Sequence, residues 1–423
     1  MDHRGQNDAG LSVAIVGAGI VGCSTALALA AEGHRVTVFD REEPASGTSY
    51  GNAGAIVTGS VLPISTPAVI RSLPAYLLDR QAPATLRLGH AFAALPWLAR
   101  FVAAGTPARV NRIAAAMFPL VSRALAAHRQ LAQMASASDM LTQEGWLKVY
   151  TGERDFANSA LERELMTRLG VVHAVLDRAA LLNLEPALNP HHCHCGVYQP
   201  DAGNVRCPGG LANAYLEAAC RTGATFVRDE IHGVKPVAAG GVSLSGATGD
   251  HRFDRVVIAA GAWSAILAKQ LGDRVSLESE RGYHLRFRPE SEKLLRGPVV
   301  FPGSGFVLSP MHDGLRLISG DELAGLDAVP DYRRIRALLP EAAKAVPSLE
   351  GAHPVSEWMG HRPSTPDTLP VIGRARSSPH VVYAFGHGHL GVTLSAVTAQ
   401  LIADLIGGRP AAIDLHPYRP ARF

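Results

Sequence analysis

An apolar segment near the start of the chain runs from Leu11 to Ala31 and contains glycines at its centre. Its length matches that of a membrane-spanning helix, about 20 residues. The glycines nevertheless divide it into a short apolar strand, Leu11–Val16, and a helix, Val21–Ala31. This pattern favours a strand–turn–helix unit over a membrane span, and we expect no other stretch to cross a membrane. Residues 1–10 are polar and lack the pattern of a signal peptide.

Short apolar strands and amphipathic helices alternate along the rest of the chain. Residues 60–135 have a helical period, whereas residues 275–320 alternate as short strands do. Further predicted strands are Arg35–Asp40, Gly145–Tyr150, Thr225–Val227, Ile231–Val234, Tyr283–Phe287, Leu315–Ser319, Val381–Phe385 and one that ends at Gly261. Further predicted helices cover 153–170, Pro208–Arg221 and Thr393–Ile406. The pattern indicates an α/β architecture.

The turn between the first strand and the first helix has the spacing of a dinucleotide-binding loop. Gly17 permits the tight turn, Gly19 lets the backbone approach a pyrophosphate, and Gly22 lets the helix pack closely on the strand. The N-terminus of the helix offers free N–H groups to the phosphates. Asp40 closes the second strand 18 residues after Gly22, where a carboxylate can accept both ribose hydroxyls. The pattern predicts NAD or FAD and disfavours a 2′-phosphate.

Three further glycine-containing segments favour FAD over NAD. The small-residue loop 46–54 can run close beside a flat ring, and the strand before Gly261 can return to the nucleotide. Gly386–Gly391 opens a second helix, whose N-terminal dipole can stabilise negative charge on a reduced flavin. The candidate cofactor-binding residues are Gly17, Gly19, Ile20, Val21, Gly22, Asp40, Arg41, Thr48, Ser49, Asn52, Ala53, Gly54, Gly261, Gly386, His387, Gly388, Leu390 and Gly391.

Composition removes several other classes of protein. With 47% apolar and 18% charged residues, the chain is too apolar to be largely disordered. Its 40 basic and 37 acidic residues give a formal charge of +3. This small excess does not indicate a nucleic-acid-binding protein, which needs basic residues clustered on one face. Five cysteines among 423 residues do not make a disulfide framework and suit a reducing compartment.

These motifs, in this order, resemble the D-amino-acid-oxidase-like family of FAD-dependent oxidoreductases. The resemblance runs from about Ser12 to Arg409. It rests on the dinucleotide turn, the Thr48–Gly54 loop, the strand before Gly261, and the segments Gly360–Asp367 and Gly386–Gly391. The chain is most similar to the D-amino acid dehydrogenase branch, and Arg281–Leu285 resembles the D-proline or hydroxy-D-proline type.

The resemblance implies a fold and its division along the chain. It implies a Rossmann-type FAD-binding domain, similar to that of glutathione reductase, interleaved with an α+β substrate domain that has an antiparallel sheet. Residues 11–59, 196–265 and 350–423 are assigned to the FAD-binding domain. Residues 60–195 and 266–349 are assigned to the substrate-binding domain.

Four residues are candidates for catalysis or substrate binding. The guanidinium of Arg362 can bind a carboxylate with two hydrogen bonds, and the resemblance implies that role. His389 stands where glycine oxidase has an arginine, which leaves a second carboxylate contact open. Tyr283 and His284 can line the pocket, or they can alternate between the core and the roof of a strand.

The segment His191–Cys195 carries five metal-ligand side chains in a row. Adjacent side chains cannot all converge on one ion, and no second spaced pair follows. We therefore interpret it as a polar surface loop and predict no metal site. Cys23, in the first turn of the first helix, is expected to pack against the strand.

The resemblance implies oxidative deamination of a D-amino acid by hydride transfer from Cα to flavin N5, giving an imine or 2-oxo acid. D-Proline, cis-4-hydroxy-D-proline and D-alanine are the candidate substrates. A sarcosine- or glycine-type amine oxidase, a 2-hydroxy-acid dehydrogenase and a flavin-binding subunit of a larger electron-transfer complex stay open. The electron acceptor also stays open and can be a quinone, another carrier or O₂. We expect a cytoplasmic protein, and leave open whether it forms a homo-oligomer and whether it contacts the inner face of the membrane.

Overall fold

A computed structural model describes residues 10–78 and 84–423 of the chain. Residues 1–9, for which the sequence predicts no signal peptide, and residues 79–83 of the predicted helical region lie outside the described residues. The strands are β1 Ser12–Val16, β2 Arg35–Asp40, β3 Ala55–Ile56, β4 Ala84–Leu86, β5 Leu141–Thr142, β6 Trp146–Tyr150, β7 Ala174–Leu176, β8 Cys195–Gln199, β9 Gly203–Val205, β10 Thr225–Arg228, β11 Ile231–Pro236, β12 Val242–Gly246, β13 Asp250–Phe253, β14 Arg255–Ile258, β15 Glu278–Arg286, β16 Val299–Phe301, β17 Phe306–Met311, β18 Gly314–Leu323, β19 Ser356–Ser364, β20 Val371–Ala375 and β21 Ser378–Phe385.

The helices between these strands vary widely in length. They are α1 Ile20–Ala31, α2 Pro67–Leu78, α3 Ala91–Ala104, α4 Pro107–Met134, α5 Glu153–Asn158, α6 Ala160–Arg168, α7 Arg178–Leu184, α8 Pro208–Arg221, α9 Ser264–Gln270, α10 Arg333–Arg336, α11 Leu339–Ala345 and α12 Gly391–Ile406. The predicted strand–turn–helix interpretation of Leu11–Ala31 is therefore confirmed by β1 and α1.

One sheet is built mainly from parallel strands, in the order β10-β2-β1-β14-β21-β20. β1 pairs in parallel with β2 on one side and with β14 on the other, and β14 pairs in parallel with β21. Only its edge strand β20 is antiparallel to its neighbour, within the described residues. Its central strands are buried and rich in valine and isoleucine, as strands of a sheet covered on both faces are.

Helices α1, α8 and α12 pack together on one face of this sheet. The long helix α4 joins them, because Met117, Leu120 and Ala124 belong to the same buried apolar cluster as α1 and α12. The sequence analysis places residues 60–135, which include α4, with the substrate domain, and α4 packs against these helices of the parallel sheet. The turn and helix Gly388–Ile406 are long and apolar enough for a membrane span, contrary to our expectation from the sequence. About 72% of that stretch is buried inside the protein, as in a core helix.

The second sheet is larger and mostly antiparallel, in the order β19-β15-β18-β17-β16-β6-β8-β7, and β4 pairs with β18. It contains β8 and β19, which the sequence boundaries assign to the FAD-binding domain. The pairing of β15 with β19 sets Glu280 opposite Arg362 and Gly282 opposite Gly360. A bulge between Arg281 and Tyr283 interrupts the pairing of β15 with β18. The expected α/β fold with an interleaved antiparallel sheet is confirmed.

Candidate functional site

A cavity of about 630 Å³ lies between the two sheets, within the usual range for ligand sites. The parallel sheet contributes the turn after β1 and the end of β2 to its wall. The larger sheet contributes Val300, Val307 and Ile318. The predicted cofactor residues that line the cavity are Gly17, Gly19, Ile20, Val21, Asp40, Arg41, Thr48, Ser49, Asn52, Ala53, Gly261, His387, Gly388, Leu390 and Gly391. Gly22, Gly54 and Gly386 are not part of this lining.

The turn after β1 has the geometry that its glycines predict. Gly17 has a φ of +113°, which side chains rarely tolerate, and a Cβ there would lie 2.3 Å from the carbonyl oxygen of Ala259. A Cβ at Gly22 would lie 1.9 Å from the carbonyl oxygen of Gly17. Helix α1 therefore rests directly on the turn, and its N-terminus opens into the cavity. Ser49 Oγ accepts one of the free N–H groups there, from Ile20, at 2.9 Å.

Asp40 lies at the end of β2 and lines the cavity. Its Oδ2 accepts the N–H of Ala18 at 2.7 Å, and its Oδ1 accepts the N–H of Glu42 at 3.1 Å. The carboxylate is thus fixed beside the glycine turn, where an adenosine ribose would lie. The guanidinium of Arg41 lies 4.4 Å from the centre of the Trp263 ring, a cation–π contact on the same wall.

The loop after β2 runs along the cavity toward the larger sheet. Thr48 Oγ1 donates to the carbonyl of His361 at 2.8 Å, which joins the loop to β19. Asn52 Oδ1 accepts the N–H of Gly54 at 2.8 Å. Gly54 itself is a packing glycine, because a Cβ there would lie 2.0 Å from the carbonyl oxygen of Val205. The loop can therefore present its backbone to a flat ring, as the sequence predicts.

The second glycine-rich turn brings the N-terminus of α12 to the same cavity. Gly386 and Gly388 have φ values of +81° and +52°. His387 is buried, pairs through Nε2 with Thr398 Oγ1 at 3.0 Å, and has a pKa lowered to about 3 by burial. The N-terminus of α12 has no side-chain cap, so its N–H groups are free to meet a ligand.

These features together fit an FAD molecule. Two helix N-termini with free N–H groups, α1 and α12, face one cavity and suit negatively charged groups. The α1 end lies near Asp40, as a pyrophosphate and its ribose require, and the α12 end lies under the larger sheet. The residues named above as lining the cavity would hold the cofactor.

Arg362 lies on β19, and its guanidinium packs over Gly282 of the neighbouring strand β15. A Cβ at Gly282 would lie 2.3 Å from Nη2, so that glycine makes room for the guanidinium. Nη1 donates to Glu280 Oε1 at 3.2 Å, to Asp321 Oδ1 at 2.8 Å and to the carbonyl of Gly320 at 2.7 Å. Nη2 and Nε make no hydrogen bond to the part of the chain that the structure describes. They remain available to a carboxylate in the cavity.

His389 belongs to the same charged cluster. Its Nε2 donates to Glu280 Oε1 and lies 3.5 Å from Asp321 Oδ1. Glu280, Asp321 and His389 are close enough to hold a metal ion. Arg362 Nη1, however, already contacts the same oxygens of both acids, so we interpret the cluster as an ion-pair network.

The structure places Tyr283 and His284 on opposite faces of β15. Tyr283 is among the residues that line the cavity, and its hydroxyl donates to Glu322 Oε2 at 2.5 Å. His284 is not among the residues lining the cavity; its ring stacks on Trp358 at 5.0 Å between centroids. Burial, with a smaller contribution from Arg316, lowers the pKa of His284 to about 3. Its position indicates packing, whereas Tyr283 can meet a ligand.

Several cavity residues were missed in the sequence. Trp263 and Trp358 line the cavity, and Lys148 does so while paired with Glu162 at 2.5 Å. Glu280, which lies behind Arg362 rather than in the cavity lining, was missed too, because its strand Glu278–Arg286 is mostly polar and a further acid there gives no signal. Within the segment His191–Cys195, the two cysteines are buried, whereas His191 and His194 are exposed.

Comparison with known proteins agrees with this geometry. The model of the FAD dependent oxidoreductase (DAO) family matches residues 12–405. A D-amino-acid oxidase of Bradyrhizobium diazoefficiens is 37% identical over 98% of this chain and 99% of its own. A D-amino acid dehydrogenase of Paramagnetospirillum magneticum is 31% identical over 98% of this chain and 99% of its own.

A solved structure of a similar protein has the same fold. Glycine oxidase from Geobacillus kaustophilus superposes with a TM-score of 0.76 at 25% identity, over 98% of this chain and 99% of its own. The family match covers almost the whole chain, and the two helix N-termini at the cavity are where such a protein needs them. The chain belongs to the DAO family of FAD-dependent oxidoreductases.

Proposed function

We propose that the protein oxidises D-amino acids with bound FAD. The observation that carries this proposal is the guanidinium of Arg362, which is fixed through Nη1 and leaves Nη2 and Nε free. Arg362 and the α12 turn line the same cavity, so a carboxylate bound by the arginine lies beside the flavin end of the site. The D-amino-acid oxidase and D-amino acid dehydrogenases to which the chain is similar support the substrate class.

In this function the protein binds and orients, and bound FAD supplies the acceptor for the hydride from Cα. Arg362 holds the substrate carboxylate, and the apolar side chains of Val300, Val307 and Ile318 keep water from that part of the cavity. A small apolar wall of this kind suits D-alanine, D-proline or cis-4-hydroxy-D-proline, of which D-proline is our first choice. The product is the imine. With D-alanine it hydrolyses to the 2-oxo acid and ammonia, whereas a proline-type substrate gives a cyclic imine whose hydrolysis opens the ring and releases no ammonia.

Anaerobic mixing of the FAD-loaded protein with a panel of compounds tests this function. We expect D-proline or D-alanine to bleach the visible flavin absorbance, and the L-enantiomers to leave it. Bleaching by sarcosine or glycine alone, or by D-lactate alone, would replace the proposal with an amine oxidase or a 2-hydroxy-acid dehydrogenase. Activity that returns only with added partner chains would identify a flavin-binding subunit instead.

We further propose that the protein is cytoplasmic and docks on the anionic inner face of the membrane, where a quinone accepts the electrons. Helix α3 exposes Phe92, Leu95 and Val102 on one face, and Leu88 just before it is 91% exposed. The opposite face is buried, and Trp97 Nε1 donates to the carbonyl of Ser364 beside Arg362 at 2.9 Å. This hydrogen bond joins α3 to β19, the strand that carries Arg362.

Charge around this surface favours an anionic lipid bilayer as its partner. Residues 44–138 contain eight arginines, no lysine and a single acidic residue, Asp79. Arg100 is exposed on α3 itself. Each arginine near an anionic membrane contributes about 1 kcal/mol of binding energy, and the buried apolar side chains add to it.

Vesicle flotation tests this surface. We expect the protein to float with phosphatidylglycerol vesicles, to release at about 0.5 M salt, and to bind phosphatidylcholine weakly. The triple variant L88S/F92S/L95S should lose flotation, whereas V172S/V175S, which removes two exposed valines elsewhere, should keep it. Equal flotation of both variants would contradict the proposal. So would a change of oligomeric state in the triple variant without loss of flotation.

A further inference from the structure

Glu280 is a buried acid at the centre of the charged cluster, and no step of the reaction above uses it. It lies on β15 opposite Arg362, and only 6% of its side chain is exposed. Its Oε1 accepts from Arg362 Nη1 at 3.2 Å and from His389 Nε2. Its Oε2 accepts from Ser364 Oγ at 2.9 Å. Of these three donors, Arg362 is cationic and His389 can become so.

His389 differs from Glu280 in that it reaches the cavity. Its side chain is 39% exposed, and the ring lines the cavity beside Arg362. While Nε2 is held by Glu280, Nδ1 has no hydrogen-bond partner among the residues that the structure describes. An imidazolium in this position has a second N–H to offer to a ligand. Arg362 lines the same cavity, and its Nη2 and Nε lie over Gly282, which lines the cavity too.

Three strands place a charged group beside His389: β15 carries Glu280, β18 carries Asp321 and β19 carries Arg362. Burial by itself lowers the pKa of His389, but the contact with Glu280 outweighs it, and the net pKa is raised above its usual value. Arg362 opposes this effect and Asp321 adds to it. Burial works against ionisation of Glu280, yet His389 and Arg362 hold the pKa of its carboxyl far below the usual range. Burial and repulsion by Glu280 raise the pKa of Asp321. Of the two acids, Glu280 therefore stays ionised throughout the physiological range.

We propose that Glu280 is a positioning residue that keeps His389 as an imidazolium and makes it, beside Arg362, a second cationic contact for the substrate carboxylate. Affinity for the carboxylate is then full below the pH at which His389 loses its proton, and it falls as the pH rises through that point. This inference rests on the proposed function, because it concerns the same carboxylate. It adds a pH dependence that Arg362 alone cannot give, since a guanidinium does not titrate.

Pyruvate is a suitable probe, because it carries the carboxylate but has no hydride to give. Its binding to the FAD-loaded protein is followed by the change in the visible flavin spectrum. We expect its Kd to rise about tenfold or more from about pH 6 to about pH 9, the effect of losing one charged hydrogen bond. KM for D-proline should follow the same profile, with kcat less affected.

Variants separate the roles of the two residues. His389→Arg keeps a cation that does not titrate, so Kd should stay low and nearly independent of pH. His389→Gln should have the weak, pH-independent affinity that the parent protein has at high pH. Glu280→Gln should shift the fall in affinity to lower pH by about one unit or more, because burial without the carboxylate disfavours the imidazolium. Glu278→Gln, on the same strand but paired with His90, is the matched control and should match the parent protein.

The outcomes distinguish this inference from the proposed function. A parent protein that binds pyruvate equally at both pH values would overturn the inference and leave the proposed function standing. So would a His389→Gln variant with the pH profile of the parent protein. A protein that neither binds pyruvate nor responds to any D-amino acid would overturn both. If Glu280→Gln does not fold, the pH profiles of the two His389 variants still test the inference.

Discussion

Replacing Arg362 with alanine raises KM for a D-amino acid about a hundredfold, a loss of about 3 kcal/mol in binding the substrate carboxylate. The cause is direct, because Nη2 and Nε are the free donors on that guanidinium and the alanine offers none. Arg362→Lys should recover part of the loss, since a lysine keeps the charge but cannot make two parallel hydrogen bonds. The measurement is steady-state kinetics with D-proline and an artificial electron acceptor.

The control for this prediction is an arginine on the same sheet that does not line the cavity. Arg286 donates through Nε to Ser356 Oγ at 3.0 Å, and Arg286→Ala should leave KM unchanged. The flavin spectrum of both variants should match that of the parent protein, which shows that the cofactor site is intact. An unchanged KM for Arg362→Ala would reject the carboxylate assignment.

Replacing Gly22 with alanine should both destabilise the protein and lower its FAD content. The added Cβ would lie 1.9 Å from the carbonyl oxygen of Gly17, and a backbone atom cannot yield as a flexible side chain can. Helix α1 must then separate from the turn, and its N-terminus shifts away from the phosphates. We expect a loss of about 3 kcal/mol in the free energy of unfolding, the upper end for overpacking.

Urea unfolding of the FAD-free protein and the ratio of FAD to protein after purification measure these two effects. Gly89→Ala is the matched control, because a Cβ there meets no atom within 4 Å and the position is exposed. A Gly22→Ala variant with full FAD content and unchanged stability would contradict the close packing of α1 on the turn.

The fold was predictable where the signal is local. β1, the glycine turn and α1 follow one another within 20 residues (Ser12–Ala31), so periodicity and three glycines suffice to identify them. The position of α4 was not predictable in this way. Its apolar residues Met117, Leu120 and Ala124 define a buried face, but a helical pattern does not say which partner covers that face. The sheet that β8 and β19 join was not predictable for the same reason, because a strand pattern does not indicate which sheet the strand belongs to.

The residues of the site likewise divide into those that nearby sequence predicts and those that it does not. Gly17, Asp40 and the α12 turn could be predicted from spacing, since each lies next to the strand end or helix start that positions it. Glu280 could not be assigned, because it lies 82 positions from Arg362 along the chain, and only the antiparallel register of β15 and β19 brings them together. Likewise, the sequence does not indicate that Gly282 makes room for a guanidinium on the next strand.

The order of strands in the parallel sheet has a consequence for the synthesis of the protein. The neighbours β1, β14 and β21 come from residues 12–16, 255–258 and 378–385, so the centre of this sheet is assembled from widely separated parts of the chain. At a translation rate of roughly 5–20 residues per second, β1 waits roughly 12 to 48 s for its neighbour β14 to leave the ribosome, and β14 then waits for β21. During that time the edge of β1 that faces β14 has no partner strand, and an unpaired edge of this kind can pair with another chain. FAD therefore binds after translation has passed β21, and any truncation upstream of that strand leaves a chain that cannot hold the cofactor.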